Sequence, residues 1–137
     1  MILLYGRPAS GKSELRQRLA DATGRPHVSV DDKRANTATA KAAQAQLILD
    51  AKRQPDIIIE CCHPHPVLVE MAQLKVLVHA SDQRIRQRLS MRGWSQGHIG
   101  RALRERYPVQ PDITCHTSRD DEVQQVIELC TALAVTR

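Results

Sequence analysis

Residues 2–15 read I-L-L-Y-G-R-P-A-S-G-K-S-E-L, and they restrict the chain more than any other stretch. Ile2 to Tyr5 form an apolar run of strand length, bounded by glycine. Gly6-Arg7-Pro8-Ala9-Ser10-Gly11-Lys12-Ser13 matches G-x-x-x-x-G-K-[ST] without a mismatch, and Leu15 and Leu19 then open an amphipathic helical pattern. Strand, glycine-bounded loop and helix in that order make an anion cradle. Glycines let the backbone close around a phosphate, while freed N–H groups and the helix N-terminus supply partial positive charge. In such a loop Gly6, Ala9, Ser10 and Gly11 surround the phosphates, Lys12 reaches the outer ones, and the Ser13 hydroxyl ligates Mg²⁺. The expected cofactors are ATP and Mg²⁺.

The remaining chain alternates strand and helix. His27–Val30, Asp56–Glu60, Leu74–His79 and Ile113–Thr117 read as strands two to five. Helices are expected from Lys12 to Thr23, Asn36 to Arg53, Val67 to Gln73, Asp82 to Arg92, Ser95 to about Arg106, and from Ser118 to about Ala134. In the second helix Ala38, Ala42, Ala45 and Leu49 share a face. Ser118 and Asp121 are spaced as a capping box for the last helix. Five strands alternating with helices give an α/β fold with a parallel five-stranded sheet covered on both faces. The 137 residues are expected to form one domain. Aromatic residues are only Tyr5, Trp94 and Tyr107, so the core must be aliphatic. Without a signal-like start or an 18-residue apolar run, a cytoplasmic protein with free thiols and no membrane partner is expected.

Ligands of parallel sheets sit at the carboxyl ends of the strands. Phosphoryl transfer from ATP requires a positioned acceptor hydroxyl and a carboxylate to take its proton. Asp31, closing strand two, is the candidate base, with neighbouring Asp32 capping the next helix. Arg34, one turn on, is placed to grip a phosphate on the acceptor. Glu60, closing strand three, admits two readings: ordering Mg²⁺-bound water or the acceptor, or pairing with an arginine. Arg84, Arg88 and Arg92 repeat at i, i+4 and i+8, a like-charged stripe that a bound polyanion would relieve. Cys61-Cys62-His63-Pro64-His65 carries ligand-type side chains but no second pair at a standard zinc spacing, so thiols at a strand end and loop histidines are the expectation. Trp94 either stacks on a base or packs.

On these residues the chain resembles the kinase domain of bacteriophage-type polynucleotide kinases, within the small P-loop kinases. Three stretches carry the resemblance: Gly6–Ser13, Val28-Ser29-Val30-Asp31-Asp32-Lys33-Arg34, and Arg88-Leu89-Ser90-Met91-Arg92-Gly93 with Ile99, Leu103 and Tyr107 beyond it. It implies a three-layer kinase-type sandwich with a short helical lid over about residues 82–107. It further implies Asp31 as general base, Arg34 on an acceptor phosphate, and Arg88 and Arg92 closing on the transferring group. The sequence departs from the family pattern at Ala9, Glu14, Glu60, Leu89 and Gly97-His98. A net charge of +5 and the resemblance together lead to a nucleic-acid acceptor, either a 5′-hydroxyl end or a hydroxymethylated pyrimidine. Two alternatives stand beside it: a small-molecule kinase for a nucleoside, nucleoside monophosphate or sugar, and a nucleotide-dependent switch without transfer.

Overall fold

The computed structural model describes residues 1–30 and 39–133. Every strand in it is parallel. The order is β2(His27–Ser29), β3(Ile58–Cys61), β1(Ile2–Tyr5), β4(Leu74–His79), β5(Ile113–His116). The first strand is therefore central, hydrogen-bonded to β3 on one side and β4 on the other, and all four of its residues are buried. Its period-2 alternation divides the core between the sheet's two faces. Ile2 and Leu4 pack with Leu15 and Leu19 of α1(Lys12–Thr23) and with Val123, Val126 and Cys130 of α6(Asp120–Ala132). Leu3 and Tyr5 pack with Leu47 and Ala51 of α2(Ala40–Arg53) and Leu68 of α3(Pro66–Met71). A third, smaller cluster joins α4(Asp82–Met91) and α5(Gln96–Leu103) through Ile85, Leu89, Ile99 and Ala102, seated on Ala9 and Ala80.

Several expectations are corrected. The buried face of α2 is Ala43, Leu47 and Ala51, whereas Ala45 is exposed and Leu49 is 42% exposed. Leu47, Ile48 and Leu49 are consecutive, so apolar spacing allows more than one stripe. The one that docks puts alanines one turn either side of Leu47, where small side chains let the helix approach the sheet closely. That helix begins at Ala40 because the Thr39 side chain accepts from the Ala42 N–H. Its expected start at Asn36, with Ala38, lies outside the described residues.

The helix α3 begins at Pro66, with the His65 ring accepting from the Val67 N–H at 3.1 Å. The capping box at Ser118 and Asp121 does not form. The last helix starts at Asp120 with Arg119 as its cap residue and no side-chain cap. Glu122 instead reaches back, accepting from the His116 backbone N–H at 3.1 Å, and lies 2.7 Å from the His116 ring Nδ1.

The two faces of α2 separate by mutation. Leu47→Ala is expected to cost about 2–5 kcal/mol in chemical denaturation, through lost burial and a cavity. Leu49→Ala should stay within about 0.5 kcal/mol of wild type.

Candidate active site

Each glycine of the loop after β1 faces backbone or side chain with no room for a Cβ. At Gly6, φ +153°, a Cβ would fall 2.4 Å from the Val78 carbonyl oxygen of β4; at Gly11, φ +100°, it would fall 2.9 Å from Thr117 Oγ1. The loop is thus pressed against the ends of β4 and β5. The Thr117 hydroxyl donates to the Ser10 carbonyl at 2.9 Å and fixes the loop from the β5 side. Ala9, where the resembled family carries glycine, is left-handed at φ +61°. That conformation costs an L-residue about 1–2 kcal/mol. Burying its methyl in the lid cluster returns roughly 0.8 kcal/mol, and the lower chain entropy of alanine a further ~0.5–1 kcal/mol. The opposing effects nearly cancel, which accounts for alanine there.

Lys12 is buried, and its ammonium donates to the carbonyls of Gly6 (2.9 Å) and Arg7 (2.7 Å). A buried cation requires such partners. Beside it the Ser13 hydroxyl donates to Glu60 Oε2 at 3.0 Å, bringing together the hydroxyl expected to ligate Mg²⁺ and the β3-end carboxylate. Glu60 is 5% exposed and also lies 3.4 Å from the Arg16 Nε. Glu60 thus turns one oxygen toward Ser13 and the other toward an arginine, the second of its two expected roles. A hydroxyl and a carboxylate oxygen are hard donors suited to Mg²⁺, which binds through few protein ligands and keeps several waters. Among the described residues no group of three His, Cys, Asp or Glu could hold a metal.

A cleft of about 690 Å³ opens over this pair. One side is the loop and the ends of β2 and β3 (Val30, Glu60, Cys62); the other is α4 and its C-terminal turn (Arg88, Met91, Arg92, Trp94). Arg88 does not project freely, because it donates to the Ala9 carbonyl at 2.8 Å. Arg92 is exposed and lines the cleft. Of the arginine stripe, the structure brings Arg88 and Arg92 to the cleft, while Arg84 stands in solvent on the first turn of α4. Asp31, Asp32 and Arg34 lie outside the described residues, immediately after Val30.

Sequence reasoning missed two residues. Arg7 occupies a variable position of the motif, and its guanidinium donates to Asp82 Oδ1 (2.7 Å), the Ala80 carbonyl (2.8 Å) and the Leu103 carbonyl (3.1 Å), bracing the loop to both ends of the α4–α5 unit. That pairing holds the Asp82 carboxyl below its usual range. No signal marked Arg7. Thr117 had one, since it follows a strand of a parallel sheet. In the Cys61–His65 segment the two cysteines line the cleft and the two histidines make packing and capping contacts. Burial pushes the Cys61 thiol up to about 12, His65 caps α3, and His63 stacks on Tyr107 (5.3 Å) and lies 3.3 Å from Glu105. All four cysteines are free.

Solved structures match along nearly the whole chain. A sugar kinase from a Janibacter species covers 99% of this chain and 97% of its own, at 18% identity and TM-score 0.66. Shikimate kinase from Aquifex aeolicus covers 93% and 94%, at 17% identity and TM-score 0.66. A gluconokinase from Sinorhizobium meliloti covers 96% and 89%, at 16% identity and TM-score 0.59. The fold is that of the P-loop kinases. No protein-family model matches the chain, and no curated protein matches it. Among the described residues no helix is long and apolar enough to cross a membrane.

The β5 end that holds Thr117 depends on Glu122, whose carboxyl is lowered from 4.5 to about 2, first by its hydrogen bond to the His116 side chain, then by His116 N–H and Arg119. A carboxyl lowered in the folded state stabilises fully above its unfolded value, and the contribution disappears as pH falls through the folded one. Acid unfolding curves should therefore show stability falling between pH 4.5 and about 2. Glu122→Gln should be less stable at neutral pH and flatter across that window.

Proposed function

We propose that this chain is an ATP-dependent kinase that transfers the γ-phosphoryl to a hydroxyl of a small molecule, a nucleoside, nucleoside monophosphate or sugar. The observation that carries it is the Ser13–Glu60 pair at 3.0 Å beneath a cleft closed on its far side by Arg92. The sugar kinase, the shikimate kinase and the gluconokinase above share the fold. These neighbours favour a small acceptor over the nucleic acid expected from net charge and from the resemblance to phage-type polynucleotide kinases.

The use of the basic residues supports the same choice. Arg7 and Arg88 are spent on loop and lid acceptors, Arg16 faces Glu60, and Arg25 donates to the carbonyls of Asp56 and Leu133. These four arginines therefore brace the fold and do not face a polyanion. A single exposed aromatic, Trp94, is no stacking platform for a strand.

In this reading bound MgATP supplies an electrophilic γ-phosphorus with part of its charge neutralised. Lys12 turns from the Gly6 and Arg7 carbonyls to the outer phosphates, while the loop's N–H groups hold the chain in place. Ser13 and Glu60 would hold Mg²⁺, which would supply further charge neutralisation on the phosphates. Asp31 takes the proton of the acceptor hydroxyl as its oxygen bonds to phosphorus and the bond to the ADP oxygen breaks. Arg92 stabilises the charge on the moving group, with Arg88 holding the loop beneath it. Arg34 binds a phosphate where the acceptor has one. A switch without transfer would need neither Asp31 nor an acceptor-sized cleft.

Labelled γ-phosphate offered with a panel of nucleosides, nucleotides, sugars and 5′-hydroxyl DNA tests this. Label is expected on a small molecule, and label on DNA alone would restore the nucleic-acid reading. Lys12→Ala should abolish transfer together with ATP binding. Asp31→Asn should bind ATP normally in calorimetry yet lose about 10²-fold or more in kcat. Full activity in Asp31→Asn would move the base to Asp32 or Glu60.

A further inference from the structure

Arg7 occupies a variable position of the loop, and the chemistry proposed above gives its side chain no part. That side chain nevertheless collects both ends of the α4–α5 unit. The guanidinium donates to the Ala80 carbonyl (2.8 Å) just before α4, to Asp82 Oδ1 (2.7 Å) at the first residue of α4, and to the Leu103 carbonyl (3.1 Å) at the last residue of α5. The ion pair is the lesser part of this joint, because Asp82 is 72% exposed and water screens it. The two carbonyl bonds give the joint its geometry. They need donors spread in one plane, and the Arg7 side chain is held for them at 13% exposure. Among the described residues the unit's apolar seat on the rest of the fold is small, Ala9 and Ala80. Beside the fork a groove of about 350 Å³, lined in part by His79, Asp82, Leu103 and Glu105, leaves the unit room to turn.

The main chain of the same residue serves a different partner. The Arg7 carbonyl accepts from the Lys12 ammonium at 2.7 Å and from the Ser10 N–H at 3.3 Å. One residue therefore touches both the cation of the motif and the joint of the α4–α5 unit. We propose that Arg7 is a positioning residue through which an anion held in the loop sets the orientation of the α4–α5 unit, and with it the place of Arg92 at the cleft. The proposal rests on the anion-binding half of the kinase reading and adds the regulation of that site. A ligand shifts a conformation only through contacts that differ between the two states. Here the differing contacts are the bonds from Lys12 to the Gly6 and Arg7 carbonyls, for which an anion in the loop competes. Once Lys12 leaves them, the peptides on either side of Arg7 lose the charge that fixed them. The fork, attached to the same Cα, carries the change to Ala80, Asp82 and Leu103.

Amide NMR shifts of isotope-labelled protein test this, with Mg²⁺ and tripolyphosphate as the probe, an anion with neither base nor sugar. The amides of Gly11, Lys12 and Ser13 report the loop. Those of Ile99 to Leu103 report the unit, because no residue of α5 lines the cleft. In the wild type both sets are expected to shift along one saturation curve. In Arg7→Lys and Arg7→Gln the loop amides should still saturate, while the α5 shifts fall about fivefold or more. Asp82→Asn, which keeps the two carbonyl bonds, should behave as the wild type. In γ-phosphate transfer Arg7→Lys should lower kcat about tenfold with KM for ATP nearly unchanged, the split expected when a group acting in the transition state is misplaced. Full-sized α5 shifts in Arg7→Lys would assign the coupling to Arg88 and the Ala9 carbonyl and overturn the inference. So would a wild type whose loop amides saturate while α5 stays still, a result that leaves the kinase reading intact. No shift at the loop amides would remove both.

Discussion

The contact on which the site depends is the one between Gly6 and the Val78 carbonyl, where the phosphate loop leaves β1 against the end of β4. A side chain at Gly6 would push the loop off the sheet, and two further contacts would go with it. Arg7 reaches the Ala80 carbonyl and Asp82 only because the loop lies on β4, the strand that leads into α4. Ala9 enters the α4–α5 cluster for the same reason. One close backbone approach thus joins the central strand, the loop and the lid into a single piece.

Arginine does in this joint what lysine could not. The planar fork of Arg7 serves a carboxylate and two carbonyls on different elements at once, which a single ammonium on a flexible stem holds poorly. Lys12 has the complementary role. Its compact ammonium rests on two loop carbonyls and can turn toward another acceptor a short distance away. The fixed cation builds the loop, and the movable one is the one that the proposed function assigns to the phosphates.

The central architecture was legible because its signals are local and redundant. The motif requires strand, loop and helix together, and the β-branched third strand and glycine-bounded helices punctuate the rest. Reading strand ends of a parallel sheet found Glu60, whose partner Ser13 lies 47 residues away. What stayed hidden depended on tertiary choice. Three successive apolar residues in α2 left its buried face open, and only docking selected Leu47 over Leu49. Ser118 and Asp121 matched a local capping rule, but Glu122 found a better use for its carboxylate two elements back, on His116. Arg7 was invisible because its acceptors, Asp82 and two carbonyls, lie at least 73 residues on.

The lid's seat has a consequence for the cleft it covers. Ile85, Leu89, Ile99 and Ala102 pack on Ala9 and Ala80 and take no part in the two clusters on the sheet faces. The α4–α5 unit is therefore held by the loop after β1, through the left-handed Ala9, its carbonyl bonded to Arg88, and the Arg7 fork. That seat ties the loop to the C-terminal turn of α4, which carries Arg92 and Trp94. The loop and the α4–α5 unit are consequently coupled through Arg7 and through Ala9, whose methyl packs under the two helices while its carbonyl anchors Arg88.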